Sequence, residues 1–199
     1  MNFPRTIENL IAEFMKFPGV GRKTAERFVF HLINHIDHQS VKEMSQALLN
    51  LKEQIKYCSV CQNLTDEDTC PICLDNQRDQ STIMVVESPK DVFSIEDTLK
   101  FKGRYHVLNG VLSPADGIGP NELRLNTLWD RVAKNEIKEI IVATSSTQEG
   151  ETTALYIKRV LEKTDLIISR IGYGVPVGLN LEYADQLTLS MAIENRKKI

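Results

Sequence analysis

The sequence predicts a mixed α+β protein in which a helical N-terminal region precedes an α/β region. Three observations support this: apolar residues at helical spacing before residue 57, four cysteines within residues 58–73, and alternating apolar strands and helices after Gln80. The 199 residues are 42% hydrophobic and 26% charged, as in an ordinary globular chain of one or two domains. No apolar run approaches the roughly 20 residues of a membrane-spanning helix, and no secretory signal is visible. We therefore expect a cytoplasmic protein that does not bind membranes.

Three helices are predicted before the cysteines, at residues 6–17, from about Lys23 onward, and at residues 41–56. Between the first two, a proline and two glycines prevent a continuous helix. Residues 1–57 carry eight Lys and Arg against six Asp and Glu, whereas the whole chain has a net charge of −3. The N-terminal region is therefore the part with an excess of positive charge.

The helix, glycine hairpin and second helix resemble the helix-hairpin-helix family of DNA-binding motifs. The resemblance is carried by Leu10 and by the run Pro18-Gly19-Val20-Gly21-Arg22-Lys23-Thr24-Ala25. Glycines let a phosphate approach the backbone, and amides at the start of the following helix point toward the anion. Such contacts reach only the DNA backbone and carry little sequence preference. The predicted DNA-binding residues are Gly19, Gly21, Arg22, Lys23 and Arg27. The alternative is a plain helical hairpin that only packs.

Four cysteines form two Cys-x-x-Cys pairs, Cys58 with Cys61 and Cys70 with Cys73. Zn²⁺ prefers four soft ligands in a tetrahedron, and a set of four cysteines leaves no open position for catalysis. Disulfides are disfavoured in a reducing cytosol, and nothing else in the sequence indicates the redox chemistry of an iron–sulfur cluster. We predict one structural Zn²⁺ per chain and expect this segment to be unfolded without the metal. Since the cysteines complete a site, His31, His35 and His38 are interpreted as solvated residues at helix ends.

After Gln80, apolar runs and helical segments alternate. This alternation predicts a parallel sheet with helices on both faces. The predicted strands are residues 82–86, 105–108, 139–143 and 166–171, and the predicted helices lie near 89–100, 121–134 and 151–163.

Two strand ends in this region resemble the Toprim domain of topoisomerases and primases. The first predicted strand ends at Glu87, and the third leads into the run Thr144-Ser145-Ser146-Thr147-Gln148-Glu149-Gly150-Glu151. The Toprim family pairs a first-strand Glu with an Asp-x-Asp sequence, and these carboxylates hold Mg²⁺ for phosphoryl transfer. Here Ser145 and Thr147 occupy the two Asp positions, and neutral hydroxyls are poor substitutes for charged oxygen ligands.

We therefore expect no enzyme activity and assign no catalytic residue. Tyr173 follows the last strand, but nothing near it in the sequence marks an activated nucleophile. Glu87, Glu149 and Glu151 are predicted to be either a partner-docking acidic patch or vestigial Toprim acids. For Glu149 and Glu151, a simple preference of acids for a helix N-terminus is an equal alternative.

The order of these parts resembles the RecR family of bacterial recombination mediators over essentially the whole chain. The specific points are Pro18-Gly19-Val20-Gly21, the four cysteines, Gly110-Val111-Leu112-Ser113-Pro114, Asp116-Gly117-Ile118-Gly119-Pro120, Glu149-Gly150-Glu151, Pro176-Val177-Gly178 and Leu181-Glu182-Tyr183-Ala184-Asp185. The departures are modest: Ser145-Ser146-Thr147 stands where Asn-Pro-Thr is more usual, and Leu179 stands at the usual second glycine of a Pro-Val-Gly-Gly run. The implied domains are a helix-hairpin-helix region at 1–57, a zinc finger at 58–73, a Toprim domain at 81–175 and a C-terminal tail at 176–199.

The resemblance implies a DNA-repair and recombination mediator that acts with RecO and RecF to load RecA onto DNA. It also implies self-association as a dimer or ring tetramer through the N-terminal region and the tail, with a tail helix near 182–196. Lys23 and Arg27 are the expected phosphate contacts, and the protein is expected at the nucleoid when bound to DNA. The competing interpretations are a Toprim-type magnesium-dependent nuclease or topoisomerase-like enzyme, and a zinc-dependent interaction scaffold.

Overall fold

The computed structural model describes residues 3–134 and 136–196, and it confirms the predicted α+β fold class. The chain forms two compact units, Met1–Ile55 and Lys56–Ile199. None of the helices formed by the described residues combines the length and the apolar character that a membrane crossing requires.

The first unit is helical. Its helices are α1 (Arg5–Phe14), α2 (Arg22–His35) and α3 (His38–Gln54). The core of this unit is small, with Ile11 of α1 buried against Ala25 and Val29 of α2. Helix α3 begins three residues before its predicted start because Asp37 caps it, accepting a hydrogen bond from the Ser40 amide at 2.9 Å.

The second unit begins with a small cysteine-containing segment, residues 56–75, which we call the knuckle. It contains a two-stranded antiparallel ladder of β1 (Lys56–Tyr57) and β2 (Leu64–Thr65) and the short helix α4 (Pro71–Leu74). A four-stranded sheet follows, made of β3 (Thr82–Val86), β4 (Arg104–Val107), β5 (Glu139–Ala143) and β6 (Ile167–Arg170). All neighbouring strands are parallel and their order is β4-β3-β5-β6. The central pair is therefore β3 and β5, and β4 and β6 form the two edges.

Helices cover both faces of the sheet, as the strand–helix alternation predicted. They are α5 (Pro89–Glu96), α6 (Leu125–Lys134) and α7 (Gln148–Leu161). On one face, Ile83 and Val85 of β3 pack with side chains of α6 and α7. On the other face, Met84 and Val86 pack with Val92 of α5. Because side chains alternate along β3, this strand contributes to two separate apolar clusters.

Three predicted helices end or begin elsewhere than expected, for tertiary or backbone reasons. Helix α5 stops at Glu96, and Leu99 adopts a φ of +57°, which cannot continue a helix. Helix α6 begins at Leu125 because the Arg124 amide bonds to the Leu108 carbonyl at 3.2 Å, beyond the end of β4. In the tail, a 3₁₀ turn at Leu181–Tyr183 precedes α8 (Gln186–Glu194), and α8 has no buried residue.

Candidate metal centre and nucleic-acid interface

The four cysteine sulfurs converge in the knuckle. All four residues are buried, and their sulfurs lie within 4.8 Å of one another. Tetrahedral zinc with bonds of about 2.3 Å separates its sulfurs by about 3.8 Å, and the sulfurs of Cys61 and Cys70 are 3.5 Å apart. The cysteines form no disulfide. The donor set therefore fits one Zn²⁺ with no open coordination position.

Backbone hydrogen bonds hold the ligands in this arrangement. The amide of Cys70 donates to the sulfur of Cys58 at 3.3 Å. The amide of Cys58 donates to the Asn63 carbonyl at 2.7 Å, and the amide of Cys73 donates to the Cys70 carbonyl at 3.0 Å. The amide of Gln62 donates to the Cys58 carbonyl at 3.0 Å, so each Cys-x-x-Cys pair lies in a tight turn.

Hydrogen bonds connect the knuckle to the edge strand β4 and to the residues that follow it. The Val107 amide of β4 donates to the Cys61 carbonyl at 2.8 Å, and the Asn109 side chain donates to the Gln62 carbonyl at 3.1 Å. Ile72, between two of the ligands in α4, packs against the apolar cluster that contains Val107. The knuckle therefore covers the free side of β4, which would otherwise expose unpaired backbone amides and carbonyls.

A buried arginine lies beside the cysteines, and sequence reasoning did not identify it. Arg131 of α6 is 8% exposed, and its guanidinium donates to the Tyr105 carbonyl in β4. Burial lowers the pKa of Arg131, while the negative charge of nearby cysteine sulfurs, Cys73 foremost, opposes that shift. A zinc ion with four thiolates carries about two negative charges, so Arg131 is placed to compensate part of them.

The glycine hairpin of the first unit has the features expected of a backbone-reading motif. Gly19 has a φ of +77°, which favours glycine, whereas Gly21 has an ordinary extended conformation at the start of α2. A Cβ atom at either position would meet nothing within 4 Å. No side chain caps α2, and its first turn carries no acid. The amides of that turn are therefore left to an external acceptor.

The three basic residues predicted beside the hairpin differ in their surroundings. Arg22 is held within the unit: its guanidinium contacts Glu8 of α1 at 2.8 Å and Glu26 of α2 at 2.9 Å. The hydrogen bond and charge of Arg22 hold the pKa of Glu8 below its usual value. Lys23 and Arg27 are exposed and form no ion pair with a described residue. They are the two positive charges that remain available to a ligand.

At the carboxyl ends of β3 and β5, Glu87 bonds to the loop that replaces the Asp-x-Asp sequence. One oxygen of Glu87 accepts from the Ser145 amide at 2.6 Å and from the Ser145 hydroxyl at 2.7 Å. That hydroxyl lies 3.1 Å from the Thr147 hydroxyl. A Cβ on Gly150 would come within 2.2 Å of the Ser145 carbonyl oxygen, so this position requires glycine.

Glu151 and Glu149 occupy separate places in the first turn of α7. Both oxygens of Glu151 are engaged, one by Arg170 of β6 and the other by the Tyr173 hydroxyl at 2.8 Å. The Arg170 guanidinium also lies 5.0 Å from the centre of the Tyr173 ring and donates to the Ser145 carbonyl at 3.1 Å. Glu149 is exposed and makes no side-chain bond to a described residue.

The acids Glu87, Glu149 and Glu151 do not converge on one point among the described residues. Among the described residues, the four cysteines are the only group of three or more potential ligands that converge on one point. The guanidinium of Arg170 already neutralises Glu151, and one carboxylate oxygen of Glu87 accepts a hydrogen bond from the Ser145 amide. Burial and the bond to Glu151 raise the pKa of Tyr173 to about 12, which disfavours the phenolate needed for nucleophilic attack.

Comparison with known proteins covers nearly the whole chain. Family models match residues 7–52 (the RecR helix-hairpin-helix), 55–75 (the RecR zinc finger domain of the four-cysteine type), 81–172 (the Toprim domain) and 174–197 (the RecR C-terminal region). A protein named "Recombination protein RecR" from Enterococcus faecalis is 44% identical over 199 residues, covering all of both chains. The chain belongs to the RecR family.

Two other relatives of the same name lead to the same assignment. The protein from Ligilactobacillus salivarius is 46% identical over 200 residues and all of both chains, and that from Heliobacterium modesticaldum is 46% identical over 197 residues, 99% of this chain and 98% of its own. The resemblance inferred from the sequence is therefore confirmed. For this RecR-family chain, the structure adds Arg131 and Arg170, which no short motif indicated.

The pairing of Arg170 with Glu151 predicts a specific response to magnesium. We expect millimolar Mg²⁺ to leave the thermal unfolding midpoint of the wild-type protein unchanged. In the Arg170→Met variant, Glu151 loses its counter-charge, and we expect Mg²⁺ to raise the midpoint because hard cations bind free carboxylates. Differential scanning calorimetry measures both midpoints.

Arg159→Met is the matched control, because Arg159 is exposed in the last turn of α7 and forms no ion pair with a described residue. This variant should respond to Mg²⁺ as the wild type does. A clear stabilisation of the wild-type protein by Mg²⁺ would show that the Toprim acids bind the metal despite Arg170.

Proposed function

We propose that this protein is a non-catalytic DNA-repair and recombination mediator that binds DNA without sequence specificity. In this role it acts with RecO and RecF to load RecA recombinase. The proposal is supported by the RecR family models that match along the chain. It is also supported by the hairpin, where Gly19 and Gly21 border open space and the side chains of Lys23 and Arg27 are exposed. We propose functional divisions at 1–57, 58–73, 81–175 and 176–199.

Backbone contact at the hairpin is the first step of the proposed mechanism. The open space beside Gly19 and Gly21 admits a phosphate to the first-turn amides of α2. Lys23 and Arg27 add charge one helical turn apart. We assign Arg22 a supporting role, because its bonds to Glu8 and Glu26 hold α1 against the start of α2. None of these contacts reads a base, which is why we propose binding without sequence preference.

One copy of the chain is a weak DNA ligand on electrostatic grounds. The net charge of −3 and the added charge of a zinc–thiolate centre both oppose binding to phosphate. Repetition of a small basic face in an assembly supplies the avidity that one copy lacks. We therefore propose that a dimer or ring tetramer is the functional form, with hairpins directed at the DNA.

Two exposed apolar surfaces support self-association. Helix α3 has no buried residue, and Val41, Met44 and Leu48 line a groove of about 500 Å³ in the first unit. In the tail, Leu187 and Ile193 of α8 are 63% and 62% exposed. Apolar helix faces of this kind are usually covered by another surface. We propose a second copy of the chain as the cover in both places.

The Toprim unit is proposed to bind a partner rather than to catalyse. Glu87 lines a cleft of about 240 Å³ together with Asp91 and Ser145, and Glu149 projects from the neighbouring helix without a bond to a described residue. We propose this acidic edge as a docking surface for RecO or RecF. The metal component is one structural Zn²⁺ per chain, and the proposed location is the cytoplasm, at the nucleoid when DNA is bound.

The hairpin assignment is tested by a double variant. We expect Lys23→Ala with Arg27→Ala to weaken DNA binding and to reduce the slope of log K against log salt by about 2 per bound chain, because two phosphate contacts are lost. Fluorescence anisotropy with an oligonucleotide at several salt concentrations measures both quantities.

Lys42→Ala with Lys52→Ala removes the same charge from α3 and is the matched control. Its salt slope should stay close to that of the wild type. If the hairpin double variant keeps the wild-type slope, Lys23 and Arg27 do not contact phosphate. Magnesium-dependent nicking of DNA that Glu87→Gln abolishes would instead support the enzyme alternative.

The oligomer proposal predicts a solution mass that is a multiple of 22.6 kDa. Leu48→Glu places a charge on the apolar face of α3 and should lower the mass measured by light scattering at the same concentration. Leu155→Glu, at an exposed position of α7, is the control and should not change it. A wild-type protein that remains monomeric across the micromolar range, with and without DNA, would contradict the proposal.

A further inference from the structure

The outer face of α2 carries polar side chains with nitrogen donors along its whole length. Lys23, Arg27, His31 and His35 recur every four residues, and all four are exposed. We call this set the α2 row. Successive members are about 6 Å apart along the helix axis. The buried residues of α2 lie on the opposite face, so the row is directed away from the core of the unit.

The α2 row is free of intramolecular counter-charges. No described carboxylate lies within ion-pair distance of any of its four members. Four acids of this unit are engaged by other groups: Glu8 and Glu26 by Arg22, Glu13 by Lys16, and Asp37 by Ser40. The remaining charged groups of α1 and α3 in this unit are Arg5, His38, Lys42, Glu43, Lys52 and Glu53. The row therefore lacks an internal anion and is complementary to an external one.

The two imidazoles of the row face each other. The rings of His31 and His35 are 5.1 Å apart, and neither ring forms a hydrogen bond with a described residue. Imidazoles can carry positive charge at mildly acidic pH, and His35 lies in the last turn of α2. Two adjacent phosphates would remove the mutual repulsion of two charged rings.

Aromatic rings flank the row. Arg27, His31, Asn34 and His35 line a groove of about 470 Å³ together with Phe28 and Phe30. These two phenylalanines are 41% and 37% exposed. Each is held in place by an edge-to-face contact, Phe28 with Phe14 and Phe30 with Phe3. A basic row beside partly exposed aromatic rings is the combination that binds single strands, whose unpaired bases can stack.

We propose that the α2 row binds one strand of single-stranded DNA and extends the contact two helical turns beyond the hairpin. The backbone phosphates follow Lys23, Arg27, His31 and His35, and the bases lie against Phe28 and Phe30. In a duplex the bases are stacked on one another and do not reach such rings. This inference rests on the proposed DNA binding at the hairpin and adds the histidine contacts and the single-strand preference.

The histidine contacts are tested by the pH dependence of binding to an oligothymidylate. An imidazole side chain can gain a proton between about pH 8 and about pH 6. We expect the salt slope of the wild-type protein to steepen by up to about 1.4 per chain over this range, the value for two single-strand phosphate contacts. The His31→Gln, His35→Gln double variant should lose this change.

The control for this experiment is His38→Gln, at the first residue of α3 and outside the row. It should keep the wild-type change of slope. A wild-type slope that does not depend on pH would overturn the histidine contacts. The same conclusion follows if the double variant keeps the full pH response.

Base stacking is tested with the wild-type protein and an abasic strand that has the same number of phosphates. We expect the abasic strand to bind at least about fivefold more weakly than oligothymidylate, because stacking on an aromatic side chain contributes about 1–3 kcal/mol per base. Equal binding of the two strands, or tighter binding of a duplex of equal length, would overturn the single-strand proposal. Absence of any DNA binding at low salt would instead refute the proposed function itself.

Discussion

The hydrogen bond between the Val107 amide and the Cys61 carbonyl connects the cysteine cluster to the sheet and joins the knuckle to the edge strand β4. The knuckle is polar between its two pairs of cysteines, and several of its polar residues are buried, Asn63 and Thr65 among them. Apolar packing cannot hold such a segment together. Four thiolates on one ion can, because the binding energy of a structural zinc is also folding energy.

The knuckle also affects the sheet, because it lies against β4, which is an edge strand. Its free side is covered by the knuckle, whose four buried cysteines can hold a metal ion, and Ile72 extends the apolar cluster of the sheet into the knuckle. Arg131 then compensates negative charge from the thiolates while bonding to the Tyr105 carbonyl of the same strand. The cysteines, Arg131 and β4 are thus connected by electrostatic interactions and hydrogen bonds.

A second arginine has a comparable role at the carboxyl ends of the strands. In a Toprim enzyme the carboxylates there share a magnesium ion, whereas here Arg170 neutralises Glu151 and contacts the Ser145 carbonyl. A guanidinium balances charge, but it offers no open coordination position for a reacting phosphate. Ser145 and Thr147 at the two Asp positions and the ion pair of Arg170 with Glu151 are therefore two separate features that disfavour magnesium binding here.

Much of this could be predicted from local patterns in the sequence. The cysteine spacing predicted which four sulfurs converge, and strand–helix alternation predicted the parallel sheet, because both signals are patterns along the sequence. The pairs Arg22–Glu8 and Arg170–Glu151 could not be predicted in this way, since their members are separated by 14 and 19 positions. The α2 row is an intermediate case: its four-residue period is visible in the sequence, but only the structure shows that it lacks counter-charges.

The central claim is that the metal holds the knuckle against β4. Hydrogen exchange at single amides tests it most directly, measured by NMR on the zinc-loaded protein and after chelation. We predict that zinc removal accelerates exchange at Val107, which bonds to Cys61, by at least about tenfold. The neighbouring amide of Leu108, bonded to the Val86 carbonyl at 2.9 Å, should change much less. Unchanged protection of Val107 after complete zinc removal would contradict the account.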